Sequence, residues 1–228
     1  MKNFLFASAL MVLLCIPAIA RASDRDDDIS RIHRSAEVLK QIMDTPDKGI
    51  PHDLLDSAKC IAIVPGEKKF AFIIGGNYGR GVAMCRTGGG WSAPMFVAVD
   101  GGSVGYQIGG SSTDIVMLFM NDRALQSLLG DKFKLGADAT VAAGPVGRQA
   151  AADTDAKLKA EILTYSRSHG VFAGVSLDGS AVQADKSGDR SMYGRDVTHR
   201  EILDGKVTGP QSARELSDEL GSYSAQLR

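Results

Sequence analysis

KCIAIVPGEKKFAFIIGGNYGRGVAMCRTGGGWSAPMFVAVDGG, residues 59–102, is the stretch that decides the fold. Residues 60–64, 70–74, 81–85 and 95–99 are short apolar runs, rich in Ile, Val, Phe, Met and small residues. Each is too short for a helix and suits a strand buried in a core. Pro65-Gly66, Gly75-Gly76-Asn77, Gly88-Gly89-Gly90 and Asp100-Gly101-Gly102 read as the turns between them. Residues 106–108 and 115–120 continue the series, and strands resume near 140–143, 162–166, 171–177 and 181–184.

Helical patterns flank these strands. Ile29, Ile32, Ala36, Leu39 and Met43 recur at steps of three and four, with Arg31, Arg34, Glu37 and Lys40 read as off the stripe. Such a stripe either docks on a core or lies on a lipid surface. Residues 51–58 form a second short helix opened by Pro51. Asn121 or Asp122 caps a third that carries Leu125, Leu128 and Leu129 and stops at Gly130. Residues 197–203 and 212–220 close the chain as helices. Closely spaced strands with helices at the ends predict an α+β fold. Its centre is a strongly curved antiparallel β-sheet or barrel-like core, with helices at the N- and C-terminal ends. The 26 glycines fit that curvature, because in-strand glycine weakens a flat sheet and serves bends, bulges and close approaches.

The N-terminus reads as an export signal. Lys2 precedes an apolar run from Phe4 to Ile16, Pro17 ends it, and Ala18-Ile19-Ala20 or Ala20-Arg21-Ala22 offers a cleavage pattern. The run is shorter than the roughly 20 residues that cross a bilayer. Residues 1–22 are therefore expected to be removed, leaving 23–228 as a single domain in the periplasm or envelope. Leu14 before Cys15 argues against a lipoprotein, since that processing wants a small residue there. Cys60 and Cys85 remain. An oxidising compartment permits them to pair, closing a loop of about 25 residues worth ~3 kcal/mol, and two buried thiols are the alternative.

Enzyme chemistry finds little footing. Gly101-Gly102-Ser103-Val104-Gly105 fits G-x-S-x-G, but the residues after it read as a strand, whereas the nucleophile elbow needs a helix there. A hydrolase using Ser103 is the least favoured reading. No phosphate loop occurs, and four scattered His with two mature Cys give no metal-ligand spacing. No cofactor or metal is expected. A balance of 26 basic against 27 acidic residues points away from nucleic acid. Lys68, Lys69, Arg80 and Arg148 stand beside aromatics and glycine turns, a pattern suited to an anionic headgroup.

Several segments in order resemble the SYLF domain, a lipid-binding module. They include residues 54–65, Gly75-Gly76-Asn77-Tyr78-Gly79-Arg80-Gly81-Val82, Trp91-Ser92-Ala93-Pro94 and residues 102–109. Residues 136–148, Tyr165-Ser166 and residues 170–177 follow, so the resemblance spans roughly 28–220. It implies binding of phospholipids and gives Ser103 a structural place in a Gly-Ser-x-Gly strand. Yeast members also bind and bundle actin, and several eukaryotic members carry an SH3 or FYVE domain. This sequence shows neither domain, and export separates it from cytosolic actin, so actin is not expected as a partner. The resulting expectation is a phospholipid-binding protein of the cell envelope. Lys68, Lys69, Arg80 and Arg148 are its candidate headgroup contacts, and Ile29, Ile32, Leu39 and Met43 its candidate membrane-facing helix. A protein-interaction module of the envelope, with its partner unknown, is the alternative.

Overall fold

The computed structural model describes residues 17–45, 49–71, 74–104, 109–146, 159–168, 171–174 and 177–224. Ten strands form one sheet: β1 (Cys60–Ala71), β2 (Ile74–Thr87), β3 (Gly90–Trp91), β4 (Met95–Val104), β5 (Gly109–Phe119), β6 (Lys132–Lys134), β7 (Val141–Ala143), β8 (Ile162–Ser168), β9 (Val171–Gly174) and β10 (Ala181–Ala184). Their order is β6-β10-β4-β2-β1-β5-β8-β7, with β3 on β2 and β9 on β8. The sheet curls into a half-barrel, with helices at both ends of the chain. The α-helices among the described residues are α1 (Pro17–Met43), α2 (His52–Ser57), the mid-chain α3 (Asp122–Leu129), α4 (Lys186–Tyr193), α5 (His199–Leu203) and α6 (Arg214–Ser224).

Both faces of the central strands are buried, which explains why they read as unbroken apolar runs. Ile61, Ile63, Val82, Met84, Val116 and Leu118 face a layer of α1, α2 and α6. The alternate residues Ala62, Val64, Ala83, Met95, Val97 and Met117 meet α3, α5 and Phe133 on the other face. Cys60 and Cys85 are cross-strand partners on that second face and are joined as a disulfide. Replacing both by alanine is expected to cost about 3 kcal/mol. Urea denaturation of the oxidised chain and the double variant measures it, and coincident midpoints would refute it.

Two sequence expectations are corrected. Pro65-Gly66 does not turn the chain: β1 runs straight through it with a bulge, where Gly66 takes φ +61 and its N–H donates to Asp114 Oδ1 at 2.9 Å. Gly75-Gly76-Asn77 and Asp100-Gly101-Gly102 lie inside β2 and β4, paired to one another. Backbone pairing from neighbours far along the chain overrides the local preference of glycine for turns. Gly81 shows why a strand keeps glycine here, since a Cβ at that position would stand 2.0 Å from the Ile63 carbonyl oxygen. The sheet is antiparallel except for β7 and β8, which run parallel.

The third helix forms as its caps predict. Asn121 accepts from the Ala124 N–H and Gly130 closes α3. By contrast, α4 and β6 were not expected from the sequence. Helix α1, described over Pro17–Met43, crosses the predicted cleavage patterns and has Asp24, Arg25, Asp26 and Asp27 exposed.

Candidate functional site

Beyond the bulge, β4, β2, β1 and β5 continue side by side as a glycine-rich arm. One row across it reads Gly102, Gly76, Phe70, Gly110, and another reads Asp100, Tyr78, Lys68, Ser112. The two rows are two residues apart on each strand and so belong to one face. Tyr78 is half exposed, the one large apolar side chain so placed among the described residues. Lys68 is its cross-strand partner. Lys69 falls in the intervening row with Gly101, Asn77 and Ser111. Lys68 and Lys69 thus fall in adjacent backbone rows of β1.

Arg80 does not stand free. Its Nη2 and Nε donate to Asp185 Oδ2 at 2.6 and 3.0 Å. Asp185, the N-cap of α4, also receives Arg31 Nη1 from α1 at 2.9 Å, and Arg31 Nη2 reaches Asp28 at 2.8 Å. Arg31 packs over the Phe96 ring, 5.1 Å from its centroid, and the Phe96 N–H donates to Asp189 Oδ1 at 2.9 Å. Arg31, read as lying off the α1 stripe, is thus buried with Asp28. The signal for it was present: Asp28, Arg31 and Ser35 step by three and four, in phase with buried Ile32 and Leu39.

Three carboxylates and two guanidiniums share this cluster, and their environments separate them. Burial works against ionising Asp185, yet bonds from Ser187, Arg80, the Gly188 N–H and Arg31 hold its carboxyl well below the usual range. Burial raises Asp28, against the pull of Arg31. Burial pushes Asp189 up to about 7, helped by Asp185 and Asp28 and opposed by the Phe96 N–H. The Asp189 Oδ2 is buried with no hydrogen-bond partner. The cluster ties α1 to β2, β4 and α4, which is structural work.

The stripe of α1 is committed to the interior. Ile32 and Leu39 are fully buried against the sheet, and Ile29 and Met43 pack at its margin. These residues are corrected from a membrane-facing role, because the sheet already covers them. Arg148 lies outside the described residues. Ser103 pairs with Gly75 within β4 and Gly109–Phe119 form strand β5, while residues 105–108, where an elbow helix would begin, lie outside the described residues. Among the described residues no group of three His, Cys, Asp or Glu could hold a metal.

Comparison with known proteins places this architecture. The family model described as Ysc84, Las17-binding protein actin regulator, matches residues 100–223. The chain belongs to the Ysc84 family, whose domain is also called SYLF. It is 34% identical over 202 residues to SH3 domain-containing YSC84-like protein 1 of Xenopus laevis, covering 85% of this chain and 60% of that protein. The human protein of that name is 33% identical over 201 residues, 85% of this chain and 58% of its own length. LAS seventeen-binding protein 3 of Saccharomyces cerevisiae is 36% identical over 186 residues, covering 80% of this chain and 40% of that protein. The chain thus spans about 60% or less of these relatives. Ysc84 membership makes this a lipid- or actin-related module at the family level, in a family of binding and regulatory domains. It also corrects the expectation that actin has no part: the family is itself described as an actin regulator, and the yeast relative is named for binding Las17. Expected export was the ground for that expectation, and where a domain is sent says nothing of what its surface binds.

Proposed function

We propose that this Ysc84-family chain is a phospholipid-binding module of the cell envelope that meets an anionic lipid surface with its glycine-rich arm. The observation that carries the reading is half-exposed Tyr78 in one backbone row with Lys68, beside the row of Phe70 and three glycines. Aromatic and cationic residues together suit the boundary between headgroups and acyl chains. Glycines flanking Phe70 carry no side chain, so a ligand can come close to the backbone of that row. Of the four-residue basic set, Lys68 is the principal contact, since Arg80 is committed to Asp185.

The leader supports export of this module. Cleavage after Ala20 or Ala22 would leave every α1 residue described as buried in place, the first of them being Asp28. A second reading is an actin-regulatory partner, favoured by the description of the family and the name of the yeast relative.

Charge reversal at the arm tests the first reading. Lys68→Glu is expected to weaken binding to vesicles containing phosphatidylglycerol roughly thirtyfold, about 2 kcal/mol for one positive charge removed and one negative charge added at about 1 kcal/mol each. Co-sedimentation at fixed salt reads this directly, with filamentous actin as a parallel ligand. Vesicle binding untouched by Lys68→Glu and by Tyr78→Ala would remove the arm from the interface. Binding to filaments and to no vesicle would establish the second reading in its place.

A further inference from the structure

A cavity of about 380 Å³ opens between the end of α3, helix α4 and the start of α5. Its charged lining is unlike that of the arm: Lys186, Arg190, Arg195 and Arg200 surround it, with His199 at its wall. Two of these cations are matched, Lys186 with Asp131 at 2.9 Å and Arg190 with Asp196 at 2.7 Å. Both partners are exposed, with Asp131 and Asp196 side chains 72% and 83% accessible, so neither pair is locked in the interior. Exposed pairs of this kind hold little free energy and yield readily to a better ligand.

The other two cations form no ion pair among the described residues, with Glu201 within electrostatic reach of Arg195. Arg195 makes no ion pair or hydrogen bond with a described residue, and Arg200 reaches only the Gln126 side-chain oxygen at 3.5 Å. Asp189, the remaining carboxylate of the lining, spends its Oδ1 on the Phe96 N–H and its Oδ2 is closed from solvent. It therefore presents no acceptor to an incoming anion. Two guanidiniums outside any ion pair, with two more cations in exchangeable pairs, make a seat for a tetrahedral oxyanion. Guanidinium groups bind phosphate oxygens bidentately, and cavities of this size hold small ligands.

The geometry points to a phosphate-monoester site in this cavity, with Arg195 and Arg200 as its principal contacts. The site is separate in its residues from the arm, and does not depend on the arm binding lipid. Its ligand chemistry is shared by a soluble phosphate ester and by the headgroup of phosphatidic acid.

Titration of the full chain with inorganic phosphate, followed by calorimetry at ionic strength held constant with chloride, tests it. Saturable binding is expected, weakened about tenfold or more in Arg195→Ala/Arg200→Ala. Both side chains are exposed, and unchanged circular dichroism and thermal midpoint would verify the fold of that variant. Lys68→Glu is expected to leave phosphate affinity unchanged, which separates this site from the arm. Glycerol phosphate and vesicles of phosphatidic acid then name the source. Loss of only the soluble ligand in the arginine variant assigns a free ester, and loss of vesicle binding as well assigns a headgroup. A phosphate response equal to that of chloride, or one that survives in the double variant, would overturn the site.

Discussion

Arg31→Met is expected to destabilise the folded chain by about 3–5 kcal/mol, the range seen when one partner of a buried ion pair is removed. Arg31 is 3% exposed and bridges Asp28 to Asp185, so its loss leaves Asp28 in the interior without its ion-pair partner and with only the weaker pull of Arg80. Asp185 fares better, because Arg80 still donates to it from β2. The damage therefore comes mainly from the uncompensated charge on Asp28 and less from lost packing, since methionine keeps contact with Phe96. A double-mutant cycle separates these: Asp28→Leu/Arg31→Met should be less damaging than Arg31→Met alone. Urea denaturation of the four proteins measures it. A change below about 1 kcal/mol in Arg31→Met would show that the cluster carries little of the attachment of α1.

Stability is expected to fall as pH rises from about 4 to about 7, and to level off above. The sign follows from Asp189, whose carboxyl is raised from 3.8 to about 7 in the folded chain. Between those values the folded state holds a proton that the unfolded state has released, so raising the pH favours unfolding. The full penalty above pH 7 is about 4 kcal/mol, from a shift of roughly three units at 1.36 kcal/mol each. Asp28, also raised, acts in the same direction. Asp185 acts oppositely, contributing stability that is lost below about pH 4, outside this window. Asp189→Asn keeps an oxygen for the Phe96 N–H and carries no charge. It should raise the thermal midpoint at pH 7.5 and flatten the profile between pH 4 and 7. An unchanged slope in Asp189→Asn would assign the dependence to other groups.

Local chemistry was legible where local chemistry decides. The caps of α3 need only Asn121, Ala124 and Gly130, all within ten residues, and they read correctly from the sequence. The apolar runs at 60–64, 81–85 and 95–99 announced a buried sheet for a similar reason. Strand length was not legible, because the pairs Gly76↔Gly102 and Phe70↔Gly110 join residues far apart, and such pairing overrides the turn preference of glycine. Helix α4 was missed because Lys186-Ser187-Gly188-Asp189-Arg190 is a poor helical run by composition. It is held by the Asp185 cap and by burial of Asp189 and Met192.

The candidate sites were the least readable. The α1 stripe was visible, but only tertiary packing distinguishes a core face from a lipid face, and here the sheet covers Ile32 and Leu39. Arg80 looked like a free cation in a glycine turn until Asp185, more than a hundred residues on, came beside it. The cavity lined by Arg195 and Arg200 gave no motif at all, since its cations come from α4, α5 and the loop between them.

The measurement that bears most directly on the central claim is co-sedimentation of the chain from Ser23 onward with vesicles across a salt series. Phosphatidylglycerol-containing vesicles are compared with purely zwitterionic ones. Binding to the anionic vesicles that weakens steadily as salt rises, and that exceeds binding to the zwitterionic ones, is the predicted result. No binding to either vesicle at low salt would contradict the account and leave the actin-regulatory reading in its place.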